Sequence, residues 1–281
     1  MSSILTNNSA MVALQTLKSI NSNLAKTQGE ISTGKSIATA KDNAAIWAIS
    51  RVMETDQSSF KAIQSNLNAA DAIVSTALAG AERITDLLQE MKDLAAGGAS
   101  DGNEYSSIND DIQAKKDQIS AAINGSQMNG VNLLRTEPVP GQTNYTVLAS
   151  LDRTMGDVQT DKVAITVDSI NFQESIQDID ITEITDRDSA LAALEEIEAL
   201  IDVAITGAAK LGTASKRIAD QSNFVSRLTD ALTSGIGALV DADIEAASAR
   251  LQALQTQQQL GIQALSIANQ APAAILSLFR G

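Results

Sequence analysis

The sequence predicts a mainly α protein. It reads as a long antiparallel coiled-coil or helical-bundle rod formed by both chain halves, with one small β-hairpin region in the middle. Three observations carry this. From Ile46 the positions Ile46, Ile49, Met53, Asp56, Phe60, Ile63, Leu67, Ala70, Val74, Ala77, Ala81, Ile84, Leu88, Met91 and Ala95 alternate steps of three and four, and only Asp56 is polar. That pattern is an amphipathic helix of coiled-coil type, ~75 Å long at a rise of about 1.5 Å per residue. A second run supplies a partner of matching length: Leu194, Ile197, Ile201, Ala204, Ala208, Leu211, Ser215, Ile218, Ser222, Val225, Thr229, Leu232, Ile236 and Leu239. Between the two, Tyr145, Val147, Ala149 and Leu151, then Val163, Ile165 and Val167, alternate with polar neighbours, the signature of a hairpin.

The elements follow in order. Ala10, Leu14, Leu17, Asn21, Leu24, Gln28 and Ile31 form a shorter stripe whose amides weaken it and favour selection of register or partner. Gly34 breaks this helix and Asp42 is placed to cap the long one, so 34–44 reads as a joint. Gly97, Gly98 and the polar run to Asn103 end the long helix. Ile108, Ile112, Ile119 and Ile123 mark a helix of about five turns, closed by Asn124 and Gly125, that can lie back as a third member of a bundle. Pro138 to Gly141 end the first helical half, Ile176 to Ile184 bring the chain back, and Asp186 or Asp188 can cap the returning helix. Near Val240 the pattern changes phase, a stutter, and continues as Ile244, Ala247, Leu251, Leu254, Gln258, Gly261, Leu265, Ala268 and Ile275. The expected segments are therefore an outer helix (1–33), the joint (34–44), rod helices (45–135), the hairpin region (136–185), a second rod helix (186–239) and a C-terminal outer helix (240–281).

Composition narrows the function. Seven aromatics among 281 residues, with Ala, Leu and Ile forming the core positions, is a helical-rod composition. No cysteine and no histidine are present, which excludes disulfides, zinc thiolate sites and histidine catalysis. A net charge of −14 argues against nucleic acid and anionic membrane surfaces. Asp241 with Asp243, or Glu195 with Glu196, read as solvated or capping carboxylates rather than catalytic pairs, so no enzyme and no cofactor is expected. Met1 to Leu17 carries no side-chain charge, hence no basic leader region, and export would use another route. Between Arg250 and Arg280 lie 29 uncharged residues, eight of them Gln or Asn. Amides on that scale argue against membrane insertion. They fit a helix with an apolar side packed on other helices and an amide side facing confined water.

Both ends carry motifs in a definite order. The first half has Ile4-Leu5-Thr6-Asn7-Asn8-Ser9-Ala10, Ile31-Ser32-Thr33-Gly34, Ala40-Lys41-Asp42-Asn43-Ala44-Ala45, Ala48-Ile49-Ser50-Arg51 and Met128-Asn129-Gly130-Val131-Asn132-Leu133-Leu134. The second has Ile179-Asp180-Ile181-Thr182, Lys210-Leu211-Gly212, Asp241-Ala242-Asp243-Ile244 and Ala268-Asn269-Gln270-Ala271-Pro272. In this order they resemble bacterial flagellin, in a short form without the variable outer domains. The resemblance implies a secreted structural subunit that polymerises with itself into the extracellular filament used for swimming. By the same resemblance its partners are a flagellar export chaperone, the filament cap and hook-junction proteins. Filament-core packing would fall to Leu14, Leu17, Leu24, Ile31, Ile244, Leu251, Leu254, Leu265, Ile275 and Leu278, and the joint to Gly34 and Asp42. Leu88-Gln89-Glu90-Met91-Lys92-Asp93-Leu94-Ala95 resembles the family segment Leu-Gln-Arg-Val-Arg-Glu-Leu-Ala, which serves in subunit packing and is grasped by the vertebrate Toll-like flagellin receptor. Gln89, Glu90, Lys92, Asp93 and Leu94 are then the recognition residues, with an acid at Glu90 where receptor-binding members have arginine. A metalloprotease site, which some flagellins are thought to carry, needs His-Glu-x-x-His and is excluded. The competing readings are a hook-filament junction protein and a cytoplasmic coiled-coil scaffold, the latter a stable soluble dimer.

Overall fold

The computed structural model describes residues 7–100, 104–151 and 163–278, with side chains as far as Gln270. The chain divides into two compact units, residues 1–57 with 231–281 and residues 58–230.

In the first unit α1 (Asn8–Thr33) packs along α5 (Ile244–Leu278). The side of α1 turned inward carries Ala10, Ala13, Leu17, Ile20, Leu24, Thr27 and Ile31, while Leu14, Asn21 and Gln28 are exposed. The expected stripe shares Ala10, Leu17, Leu24 and Ile31 with the real one but takes the alternate intermediate positions. Stepping by three first puts Ala13, Ile20 and Thr27 against α5, which spares the cost of burying two amides. On α5 the expected stripe is observed: Ala247 and Leu254 are buried, and Leu251, Gln258, Gly261, Leu265 and Ala268 are half-buried. Ile244 is the exception, at 44 % exposure. The unit also holds the first turns of α2 (Ala44–Gly98) and the last of α4 (Arg187–Val240), joined where Gln57 Nε2 donates to Thr233 Oγ1 at 2.6 Å.

The second unit contains the rest of α2 and α4, α3 (Tyr105–Gly125) and a hairpin of β1 (Asn144–Leu148) and β2 (Ala164–Asp168). Every predicted α2 position from Phe60 to Ala95 is buried, and no predicted position of α4 is exposed. The α4 face is in fact wider, since Ala193, Leu200 and Ala214 are buried beside it. The two helices run antiparallel: Ser222 Oγ donates to Asn68 Oδ1 at 3.2 Å and Ser215 Oγ to Asp71 Oδ1 at 2.9 Å. Two seam hydroxyls thus meet polar groups on the facing helix, which sets axial register.

α3 buries Ile112, Ile119 and Ile123. After it, Asn129 (φ 53) and Gly130 (φ 78) make the tight turn closed by Met128 and Val131, as a residue pair at positive φ requires. Asn132, 5 % exposed, donates to Ile123 O at 2.7 Å and accepts from Leu134 N at 3.0 Å, and so delivers Leu133 and Leu134 into the core. The hairpin pairs Tyr145 with Val167 and Val147 with Ile165 in the expected alternation. A π-helical turn, Gln173–Gln177, follows with Phe172 fully buried beside it. The connection between the two expected strands, 152–162, and Asp101 to Asn103 fall outside the described residues.

Candidate functional site

The joint is a built structure. Gly34 ends α1 at φ 69 in the left-handed region, where a Cβ is strained although nothing lies within 4 Å of it. Its carbonyl accepts from Ala242 N at 2.9 Å, while Ser36 N (2.7 Å) and Ser36 Oγ (3.2 Å) donate to Val240 O. The break after α1 and the break between α4 and α5 are therefore hydrogen-bonded to each other. Lys35 Nζ reaches Glu54 Oε1 at 3.1 Å and Arg51 Nη1 reaches Glu54 Oε2 at 2.6 Å, with the guanidinium 5.5 Å from the Trp47 ring centroid. The Lys35 hydrogen bond and the nearby positive charges hold the Glu54 carboxyl below the usual carboxylate range.

Asp42 does not cap α2. Its Oδ2 accepts from Thr39 N at 2.9 Å and Thr39 Oγ1 at 3.0 Å, which lowers its own pKa and closes a turn inside the joint. The cap is Asn43, whose Oδ1 accepts from Ile46 N at 3.2 Å. Both are favoured cap residues, so residue type could not choose between neighbours; the third amide beyond the cap picks Asn43. At the other helix Asp186 Oδ1 accepts from Ser189 N at 2.8 Å, as one of the two expected caps.

The terminal pair is held at its edges by Gln258 Nε2 donating to Asn21 Oδ1 at 2.7 Å and Asn7 Nδ2 donating to Ala268 O at 2.7 Å. Large apolar side chains stand exposed on its outer surface, among amides and hydroxyls. On α1 Met11, Val12 and Leu14 are 58, 64 and 57 % exposed, and on α5 Leu260, Ile262 and Ile267 are 58, 55 and 70 % exposed. Of the predicted packing residues, Leu254 is buried and Leu17, Leu24, Ile31, Leu251 and Leu265 are half-buried within the chain, Leu14 and Ile244 are open, and Ile275 and Leu278 lie outside the described side chains. Large apolar side chains exposed together on one helix pair mark an interaction site.

The family profile for the bacterial flagellin N-terminal helical region matches residues 4–137, and that for the C-terminal helical region matches residues 194–279. The chain is 38 % identical to Flagellin FljK of Caulobacter vibrioides, covering 100 % of this chain and 99 % of that protein. It is 39 % identical to Flagellin of Brucella melitensis, with 100 % of each covered. The chain belongs to the bacterial flagellin family. Among solved structures, a putative flagellar hook-associated protein from Vibrio parahaemolyticus shares the fold at TM-score 0.53 and 14 % identity, over 71 % of this chain and 99 % of that one.

As a flagellin the chain is a structural subunit, not an enzyme, and polymerises with itself into the extracellular flagellar filament. Among the described residues no helix is long and apolar enough to cross a membrane. In this flagellin the octet 88–95 buries Leu88, Met91 and Ala95, half-buries Lys92 and Leu94, and exposes Gln89, Glu90 and Asp93. Two of its three charges are engaged within the subunit: Glu90 pairs with Lys115 of α3, and Lys92 Nζ lies 2.6 Å from Glu198 Oε1 of α4. The Lys115 hydrogen bond keeps the Glu90 carboxyl below its ordinary range. The three-four stripe leaves Glu90 off the buried face but could not reveal a partner on another helix.

Proposed function

We propose that α1 and α5 form the filament core of this flagellin, with segments 1–33 and 240–281 as the polymerising ends and residues 34–44 as the joint that orients them. The observation that carries this is the set of large apolar side chains, Met11, Val12, Leu14, Leu260, Ile262 and Ile267, left exposed on the terminal pair. Burying a side chain such as Leu14, Leu260 or Ile267 is worth about 1.5–3 kcal/mol, and neighbouring subunits supply the cover. Segment 251–279 bears no charge, and its amide side suits the lining of a passage through which unfolded subunits travel without sticking. Export through the flagellar secretion channel with a dedicated chaperone, and assembly between hook-junction proteins and a filament cap, complete the reading. Removing residues 251–281 should leave a soluble, helical protein that does not polymerise. Filaments of the truncated protein, seen by negative-stain microscopy, would refute the assignment.

A second reading concerns the receptor segment. We infer that this flagellin signals weakly through the vertebrate Toll-like flagellin receptor, because a surface arranged for a guanidinium meets the Glu90 carboxylate instead. The ion pair with Lys115 supports this and shapes the test, since Glu90→Arg alone would set two cations together. In a reporter-cell assay, Glu90→Arg with Lys115→Glu should recover part of the signal. Strong activation by the wild-type monomer would sink the reading.

A further inference from the structure

The charges of this flagellin are divided unevenly. Residues 1–57 with 231–281 hold seven cations and seven acids, so residues 58–230 hold thirteen cations, twenty-seven acids and the whole net charge of −14. Wherever the second units of two subunits touch in a polymer, acid would meet acid unless cations are set between them. Several of the cations are already used internally: Lys92 by Glu198, Lys115 by Glu90, Lys116 by Asp180 and Lys216 by Asp220. Lys210 and Arg217 are exposed and have no such partner among the described residues. They stand seven residues apart on α4, along a groove of about 620 Å³ between β2 and α4 that also takes in Thr166, Thr206 and Ile205. Ile205 is 50 % exposed, and Asp168 is the carboxylate of the lining.

A complementary row lies on α2. Glu82, Asp86 and Asp93 are exposed on the side away from buried Ile84, Leu88 and Met91, and none has an ion-pair partner among the described residues. Asp86 and Asp93 are seven residues apart, as Lys210 and Arg217 are, so each pair spans ~10.5 Å at a helical rise of about 1.5 Å per residue. The row looks outward from α2, whereas the groove opens on the hairpin side of α4. Two different patches on different flanks make a head-to-tail contact that need not close, as a filament requires.

We propose that in the filament the Lys210–Arg217 groove of one subunit receives the Asp86–Asp93 row of its neighbour. The inference rests on self-polymerisation, and wild-type assembly in the same buffer is the control that separates failure of that reading from failure of this one. The test uses two full-length variants, one Lys210→Glu with Arg217→Glu, the other Asp86→Lys with Asp93→Lys, assayed by sedimentation and by far-UV circular dichroism. Each alone presents like charges at the contact, and its critical concentration for assembly should rise at least about tenfold with monomer helicity unchanged. A one-to-one mixture restores opposite charges at every contact and should polymerise near the wild-type concentration. Wild-type-like assembly of either variant alone overturns the proposal, and so does a mixture no better than its components. If either loses helicity, the corresponding alanine pairs replace it; they should raise the critical concentration less, and an unchanged value overturns the proposal.

Discussion

At the scale of single residues, Gly34 shows why a joint can be intolerant without being crowded. The space around it is empty, so only the backbone angle of φ 69 opposes a side chain. Holding an L-residue in the left-handed region costs roughly 1–2 kcal/mol, and a β-branched residue more, while Asn tolerates it best. Assembly should therefore fall in the order Gly34, Asn, Ala, Val at this position, with the helicity of residues 58–230 unaffected. Equal assembly of Gly34→Val and wild type, by sedimentation, would make Gly34 an ordinary linker residue. Asp42 and Asn43 make a related point: adjacent residues of similar capping propensity divide two tasks, and only the amides they face tell which does which.

At the scale of elements, the returning strand and π turn bring Ile170 and Phe172 hard against α4 at Gly207. A Cβ there would lie 2.5 Å from Ile170 Cγ2 and from Phe172 Cζ, and Phe172 is fully buried and has little room to move. Overpacking of this kind costs about 1–3 kcal/mol, so Gly207→Ala should lower the urea midpoint, against a smaller effect at Gly212, where nothing lies within 4 Å. Similar midpoints for the two variants would mean that the turn yields freely. The same approach explains why the α4 buried face is wider than a coiled-coil seam. α4 meets α2 on one side and the 170–176 segment on another, and a glycine is what lets both come close.

At the scale of the whole molecule, large fully buried side chains such as Phe172, Leu67, Leu88, Leu133, Ile197 and Leu211 all belong to residues 58–230. The other unit keeps Met11, Val12, Ile262 and Ile267 in solvent. Local stability follows buried apolar contact, so in the free subunit the backbone amides of α1 and α5 should exchange with solvent far faster than those of α3 and of α2 within 58–98. Assembly should slow exchange in α1 and α5 most, because that is where new burial occurs. Hydrogen exchange read by mass spectrometry on monomer and filament checks both halves, and uniform protection in the monomer would contradict it.

What the sequence determined by itself was the mainly helical class, the two long helices that pair and the hairpin between them. A three-four alternation sustained over fifty residues fits one period, and two runs of equal length at opposite ends of the chain must bury their stripes against something of that length. The period-two runs around 145 and 165 settled which hairpin residues face inward, because a slip of one residue would turn Val147, Ile165 and Val167 to solvent; which residues pair came from the structure. The tertiary structure alone decided which of two equally spaced stripes on α1 faces α5, since Leu14 and Ala13 satisfy the same local pattern and differ only in whether two amides are buried. It also decided the pairings Lys35 with Glu54, Glu90 with Lys115 and Lys92 with Glu198. Periodicity records which side of its own helix a residue occupies; the distance between side chains 19, 25 or 106 positions apart is set only when the helices have packed.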